Sequence, residues 1–196
     1  MLVLASASAV RAQLLASAGI EAEIDPAAID EAPLKRECRE IGRDAGECAL
    51  LVAEAKAKTV ADRHRGALIL GADQILECEE RWFDKPSSLA EARTQLAELN
   101  GRQHRLVTAA TILRDGKSLW RAVERPVVTM RRFSDAFLER YLAAMGERVL
   151  KSVGAYELEG FGLQLMQRVE GDYFAVLGLP LLPLLAFLRT IGALPT

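Results

Sequence analysis

The stretch Leu68-Ile69-Leu70-Gly71-Ala72-Asp73-Gln74 decides the fold class of this chain. A short apolar run bounded by a glycine reads as a buried strand, and a strand that breaks on Gly71 delivers the Asp73 carboxylate to its end. Strand ends are where α/β proteins gather their chemistry. Across a polar stretch, Asp84-Lys85-Pro86 adds a cation to that acid, a pairing that suits a phosphorylated substrate.

Working outward toward the N-terminus, residues 2–6 read as another buried strand. Ser8 then caps a helix carrying Leu14, Leu15 and Ala18, which Gly19 stops. Residues 21–31 read as extended and lead into an acidic turn at Asp30-Glu31, and residues 42–63 carry apolar groups at helical spacing, with Lys56 and Lys58 among them. Toward the C-terminus, residues 76–83 read as a second extended segment. Ser88-Leu89-Ala90-Glu91 matches a capping box for a helix over 89–99, which Asn100-Gly101 ends. Residues 105–113 and 118–130 read as antiparallel strands joined at Asp115-Gly116, the strongest hairpin signal in the chain. Ser134 caps a helix that stops at Gly146. Glycines 154, 160, 162, 171 and 178 suggest loops approaching a ligand, before a last helix over about 180–191. The expected architecture is α/β: a mixed twisted sheet flanked by helices, with two lobes around a central cleft.

Composition narrows the function. A chain of 196 residues, 51% hydrophobic and 27% charged, is globular, and its length fits one sizeable domain or two closely packed lobes. A formal net charge of -2 gives no general attraction to nucleic acid, so a small phosphorylated ligand fits better than DNA. Cys38, Cys48 and Cys78 are odd in number and lack zinc-site spacing, which points to a reducing cytoplasm. The apolar start has no basic residue ahead of it and meets Arg11 early, so it reads as a strand rather than a signal peptide. The uncharged stretch from Tyr173 to Leu188 falls short of the ~20 residues a membrane span needs. It holds Gly178, Pro180 and Pro183, and reads as a buried strand, a turn and a core helix.

Ser6, Ser8 and Arg11 flank the first strand-to-helix turn, where hydroxyls, a guanidinium and free N–H groups can converge on phosphate oxygens. Taken alone, an ordinary helix cap with a solvent-facing arginine is the commoner meaning of such a turn. Glu31 and Asp73 are candidate oxygen ligands for Mg²⁺ or Mn²⁺. A solvated turn acid is the plainer account of Glu31, whereas the apolar run before Asp73 places its carboxylate near the interior, where it needs a partner. Lys56 and Lys85 are the available partners, although an exposed helix lysine is the plainer account of Lys56. Alternation within Gly154-Ala155-Tyr156-Glu157-Leu158-Glu159-Gly160 points Glu157 and Glu159 to one face of an extended loop, where a carboxylate can accept hydrogen bonds from a base edge or simply be solvated. His64 and His104 stand near no nucleophilic triad, and neither a Walker A loop nor a GxGxxG fingerprint is present.

Together these pieces resemble the Maf family of nucleoside triphosphate pyrophosphatases. The resemblance rests on Leu4-Ala5-Ser6-Ala7-Ser8 with Arg11, the helix around Lys56, Gly71-Ala72-Asp73, Lys85-Pro86, Leu99-Asn100-Gly101, Gly154-Ala155-Tyr156, Glu170-Gly171-Asp172-Tyr173 and Gly178-Leu179-Pro180. These motifs run in order over nearly the whole chain, which makes the match specific. The resemblance implies a fold like that of inosine triphosphate pyrophosphatases and a cytoplasmic, divalent-metal-dependent hydrolase that releases pyrophosphate from a nucleoside triphosphate. It implies Asp73 as proton acceptor, with Ser8, Arg11, Glu31, Lys56 and Lys85 around the triphosphate and metal.

The resemblance also assigns the choice of base to positions 10, 74 and 159. The branch that prefers dTTP and UTP has Arg, Thr and Gln there, whereas this chain has Val10, Gln74 and Glu159. Gln with Glu is the pattern of the branch similar to 7-methyl-GTP pyrophosphatases, although that branch carries Trp at position 10. A glutamate suits the N–H donors of a guanine edge better than a uracil carbonyl. A homodimer is the assembly that family habit and the apolar C-terminal helix suggest, with neither nucleic acid nor membrane as a partner. The competing expectation is a nucleotide-binding regulator of cell division that acts through a partner without turnover.

Overall fold

Among residues 1–195, which the computed structural model describes, the elements in chain order are β1 (Leu2–Leu4), α1 (Ala9–Ser17), β2 (Ala22–Ile24), α2 (Ala32–Glu40), α3 (Ala45–Ala61), β3 (Leu68–Cys78), β4 (Arg81–Phe83), α4 (Leu89–Leu99), β5 (Gln103–Arg114), β6 (Lys117–Glu124), β7 (Val127–Met130), α5 (Asp135–Met145), three 3-10 turns within residues 146–165, β8 (Met166–Glu170), α6 (Tyr173–Val176) and α7 (Leu181–Thr190). The strands form one mixed sheet, parallel where β1 meets β2 and β3 and antiparallel in the β3–β4, β5–β6, β5–β7 and β7–β8 pairs. Helices flank it, as expected of this α/β class. By its internal contacts the chain divides into two compact units. The first holds Met1–Gln74, Val107–Glu124 and the chain from Phe174 on, and the second holds Ile75–Leu106 and Arg125–Tyr173.

In the first unit, alternation along the strands builds two apolar layers. Leu2 and Leu4 of β1, with Leu68, Leu70 and Ala72 of β3, share one cluster with Leu15 of α1 and Leu184 and Leu188 of α7. Val3, Ala5 and Ile69 turn the other way, onto Ala57 and Val60 of α3. Successive strand side chains face opposite sides, so Asp73 shares the face of Ile69 and Gly71 and looks toward α3. A longer side chain at position 71 has no room, since a Cβ there would lie 2.0 Å from the Ala53 carbonyl oxygen of that helix. α7 places Leu181, Leu184 and Leu188 in its own unit's core.

In the second unit, the end of β3 turns back into β4, while β5, β7 and β8 form an antiparallel ladder. α4 lies in contact with α5 and with the first two 3-10 turns. Asn100, just past α4, ties this layer together by donating from Nδ2 to the Phe133 carbonyl at 2.8 Å and accepting from the Phe133 N–H at 2.9 Å.

Several expected boundaries move. The strand does not end at Asp73: β3 continues to Cys78, because Ile75 and Leu76 are themselves buried and Leu76 pairs with Phe83 of β4. Gly71 therefore marks a close approach of α3, not a break. Residues 76–83 are the two arms of a hairpin, turning on Glu79 and Glu80, both with positive φ. The acidic turn at Asp30-Glu31 opens a helix of its own, α2, with Pro33 in its first turn, where a missing N–H costs nothing. Residues 118–130 are two strands, because Pro126 follows β6 and cannot continue its ladder; β6 pairs with the later part of β5 and β7 with its start. Tyr173 opens a four-residue helix, not a strand.

The hairpin signal at Asp115-Gly116 holds, with both residues at positive φ (49° and 75°), as a two-residue type I′ turn requires. Ser8, Ser88 and Ser134 all cap their helices as expected. At Ser88 the capping box is only half made, because Glu91 accepts from the Ser87 N–H and hydroxyl instead of completing the reciprocal bond. The full box stands at Asp44 and Glu47, at the start of α3.

Candidate active site

Gly71 sets the spacing of the candidate site. With no Cβ in the way, α3 approaches β3 closely, and Lys56, one turn along from Ala53, puts its Nζ 2.7 Å from Asp73 Oδ1. The same ammonium lies 2.6 Å from Glu31 Oε1, at the start of α2. Lys35, one turn further along α2, lies 3.1 Å from Glu31 Oε2 and 3.9 Å from Asp73 Oδ2. Two acids and two lysines thus alternate in a ring in which each carboxylate shows one oxygen to each lysine. Asp73, Lys56 and Lys35 are 4%, 8% and 8% exposed, so these charges depend on one another rather than on water. Burial pushes the Glu31 carboxyl up, but Lys56 and Lys35 outweigh it and hold it down at about 2.

One atom in the ring has spare capacity. Asp73 Oδ2 is buried and makes no hydrogen bond, since Lys35 at 3.9 Å stands beyond hydrogen-bonding reach. A buried carboxylate oxygen without a donor calls for one from outside the chain, whether a water or a cation. No group of three or more His, Cys, Asp or Glu side chains gathers around one point among the described residues. The two carboxylates alone fit a hard cation that completes its shell with phosphate and water oxygens.

Arg11, on α1, holds the neighbouring backbone. Its Nε donates to the Gly178 carbonyl at 2.7 Å, and its Nη1 to the Ala72 carbonyl and the Ser6 hydroxyl, both at 3.0 Å. Burial lowers the pKa of the guanidinium, and the negative charges of Asp73 and Glu31 work against that shift. The expected solvent-facing or phosphate-facing arginine is therefore, in this structure, a buried clamp across the peptide preceding Asp73. Gly178 lies under it, and a Cβ there would come within 3.4 Å of Arg11 Nε. The Ser8 hydroxyl accepts from the Arg11 N–H as the helix cap, and Val10 is half-buried in the first turn of α1.

Gln74 faces away from the ring. Its Nε2 lies 2.8 Å from Thr108 Oγ1 and 3.0 and 3.1 Å from the Ala175 and Val176 carbonyl oxygens. Two of those partners can only accept, so the amide orientation is fixed, and Oε1 makes no hydrogen bond among the described residues.

Lys85 and Glu159 belong to the second unit. Lys85 is exposed and follows Asp84, whose carbonyl accepts from Gln95 Nε2 at 3.0 Å. Glu159 is exposed in a tight turn, while Glu157 pairs with Arg148. The segment turns at residues 158–160, so Glu157 and Glu159 do not line one face of an extended loop as expected. Gly162 reflects protein packing, since its Cβ would fall 2.3 Å from the Glu157 carbonyl oxygen. Both histidines are used structurally: His64 Nε2 lies 2.8 Å from Asp25, and His104 Nε2 lies 2.7 Å from the Tyr156 hydroxyl. All three cysteines are free and buried, and burial pushes the Cys48 thiol up to about 12.

Sequence reasoning missed Lys35. The available signal was Glu31 four residues before Lys35, a helical ion-pair spacing, but it carried no weight while residues 30–31 were read as a turn.

The family model described as "Maf-like protein" matches residues 1–191. This chain belongs to that family. Among curated relatives of this Maf-like chain, a "Nucleoside triphosphate pyrophosphatase" of Granulibacter bethesdensis is 50% identical over 193 residues, covering 98% of both chains. A "7-methyl-GTP pyrophosphatase" of Mesorhizobium japonicum is 47% identical over 98% of this chain and 97% of its own. Another protein of that name, from Rhizobium meliloti, is 46% identical over 99% and 98%. Among the described residues, no helix of the Maf-like chain is long and apolar enough to cross a membrane.

Proposed function

We propose that this Maf-like protein hydrolyses a nucleoside triphosphate to the monophosphate and pyrophosphate, with Asp73 as the proton acceptor. The observation that carries this reading is the state of that carboxylate: Lys56 holds Oδ1, and Oδ2 is buried without a hydrogen bond. One lone pair of Oδ2 is then the acceptor for an attacking water and takes its proton as the new bond to the α-phosphorus forms and the bond to the bridging oxygen breaks, which leaves the other lone pair for a cation. Lys56 fixes the orientation of the base through its bond to Oδ1. Glu31 and Asp73 would hold Mg²⁺ or Mn²⁺, which when bound supplies positive charge to the phosphate oxygens. Lys85 is assigned to the leaving pyrophosphate, Ser8 and the α1 N-terminus to phosphate oxygens, and Arg11 to holding the Ala72 carbonyl and hence the strand that carries Asp73.

The base is proposed to be a purine of the guanine type, including 7-methylguanine. With its amide nitrogen committed to the Ala175 and Val176 carbonyls, Gln74 has only an acceptor to offer, and Glu159 is also an acceptor. Two acceptors suit the N–H donors of a guanine edge. The names of the Mesorhizobium japonicum and Rhizobium meliloti relatives support the same base. Val10 supplies apolar contact at the position from which a tryptophan would stack.

The test is pyrophosphate release from 7-methyl-GTP, GTP, dTTP and UTP with Mg²⁺ or Mn²⁺. Asp73→Asn is expected to lower the rate by about 10²–10⁴-fold. A folded Asp73→Asn protein that turns over at the wild-type rate would remove Asp73 from its role, and preference for dTTP or UTP would overturn the assignment of Gln74 and Glu159. Nucleotide binding without turnover of any triphosphate would favour the regulator of cell division.

A further inference from the structure

Lys56 and Lys35 bridge the same two acids and differ in how they do it. Lys56 is bonded tightly to both, at 2.6 Å from Glu31 Oε1 and 2.7 Å from Asp73 Oδ1. Lys35 faces the opposite oxygens, at 3.1 Å from Glu31 Oε2 and 3.9 Å from Asp73 Oδ2. Those are the two oxygens Lys56 leaves available, and one of them, Asp73 Oδ2, has no hydrogen-bond donor. These oxygens are the more open pair for a divalent cation shared by Glu31 and Asp73, because Lys56 already engages the other pair. The Lys35 ammonium is the positive charge that faces this open pair.

We propose that Lys35 is a built-in competitor for the divalent metal: its ammonium occupies the cation position between Glu31 Oε2 and Asp73 Oδ2 and has to leave for a metal to bind there. The inference rests on the reading of Glu31 and Asp73 as metal ligands and adds a residue that reading does not use. It follows from charge and geometry. Two carboxylates face two lysines and the nearby Arg11 guanidinium, so the group is already net positive, and a divalent cation entering beside both acids would add to that excess in a buried place. A lysine suits this role better than an arginine would. Its ammonium sits on a flexible four-carbon stem and can swing away, whereas a planar guanidinium bonded to both acids is harder to displace. Lys35 lies in the first turns of α2, and its side chain keeps 11% of its surface exposed.

The experiment measures Mn²⁺ binding without nucleotide, by the loss of the free-ion electron paramagnetic resonance signal, and follows Mn²⁺-induced shifts in melting temperature as a second readout. Lys35→Met keeps the length of the stem and removes the charge; it is expected to bind Mn²⁺ about 10- to 100-fold more tightly than the wild type. Lys35→Arg is expected to bind it no better than the wild type. Adding Asp73→Asn to Lys35→Met should abolish the gain, which places the gained affinity at this carboxylate. Should Lys35→Met bind Mn²⁺ equally or more weakly while Glu31→Gln and Asp73→Asn lose binding, the competitor role is overturned and the metal ligands stand. If neither Glu31→Gln nor Asp73→Asn alters Mn²⁺ binding, both are overturned together. The melting curves without metal establish that each variant is folded.

Discussion

The two units handle buried polarity in opposite ways. In the first, Glu31, Lys35, Lys56 and Asp73 are charged and answer one another's charge within 4 Å. In the second, His104 and Tyr156 are as deeply buried as Asp73, but no charged partner holds them: their rings meet edge-on at a centroid distance of 5.7 Å, and burial alone pushes the histidine down to about 4. One arrangement keeps four ions paired with one another; the other keeps a polar pair neutral inside an apolar layer. The difference locates the candidate chemistry without reference to pocket shape, because ions are costly to bury and need a compensating role or partner.

Breaking the charged arrangement should have the largest effect on stability. Lys56→Met leaves Asp73 and Glu31 without their shared tight partner and is expected to destabilise the fold by about 3–5 kcal/mol at neutral pH, measured by chemical denaturation. The acid limb of stability should change with it. Glu31 is held below its ordinary 4.5, at about 2, so its contribution is complete above about pH 4.5 and is lost as pH falls toward 2. In Lys56→Met that limb should flatten; a wild-type acid limb in the variant would mean that Lys56 does not hold Glu31 ionised.

The neutral arrangement predicts a separate limb at higher pH. A His104 folded pKa depressed from 6.5 to about 4 means that its contribution is complete above pH 6.5 and lost as pH falls through about 4, a change of roughly 3 kcal/mol. His104→Asn should lose this limb while keeping the one due to Glu31. If both limbs vanish together, the two arrangements are not independent.

A smaller effect sharpens the comparison from the backbone side. Gly71→Ala places a Cβ against the Ala53 carbonyl, which has to move, so a loss of about 1–3 kcal/mol is expected, together with reduced pyrophosphate release as Lys56 shifts away from Asp73. A variant with an unchanged melting temperature and rate would mean that the close approach of α3 is not required.

Much of this was legible in the chain. Ser8, Ser88 and Ser134 announce helices because a hydroxyl at a helix start satisfies N–H groups that would otherwise lack partners, a local effect that needs no knowledge of the fold. Asp115-Gly116 announces a hairpin for an equally local reason, the positive φ its turn demands. The extension of β3 past Asp73 was not legible, because Gly71 looks the same in a sequence whether it breaks a strand or admits a neighbouring helix. Nor was α2, a nine-residue, highly charged helix whose buried residues are a lysine and a cysteine, Lys35 and Cys38, rather than an apolar stripe.

The candidate site divides along the same line. The sequence by itself singled out Asp73, because a carboxylate following an apolar run must find a cation, and the resemblance carried by the in-order motifs added Glu31 and Lys56. Only the tertiary structure decided how they are shared. α3 rides on Gly71 to set Lys56 against one oxygen of each acid, α2 brings Lys35 to the other pair, and Arg11 turns inward to clamp the Ala72 carbonyl. Which oxygen is bonded and which is left over depends on whether a lysine from another element stands at 2.7 Å or at 3.9 Å. Residue spacing carries no such information, and packing sets it.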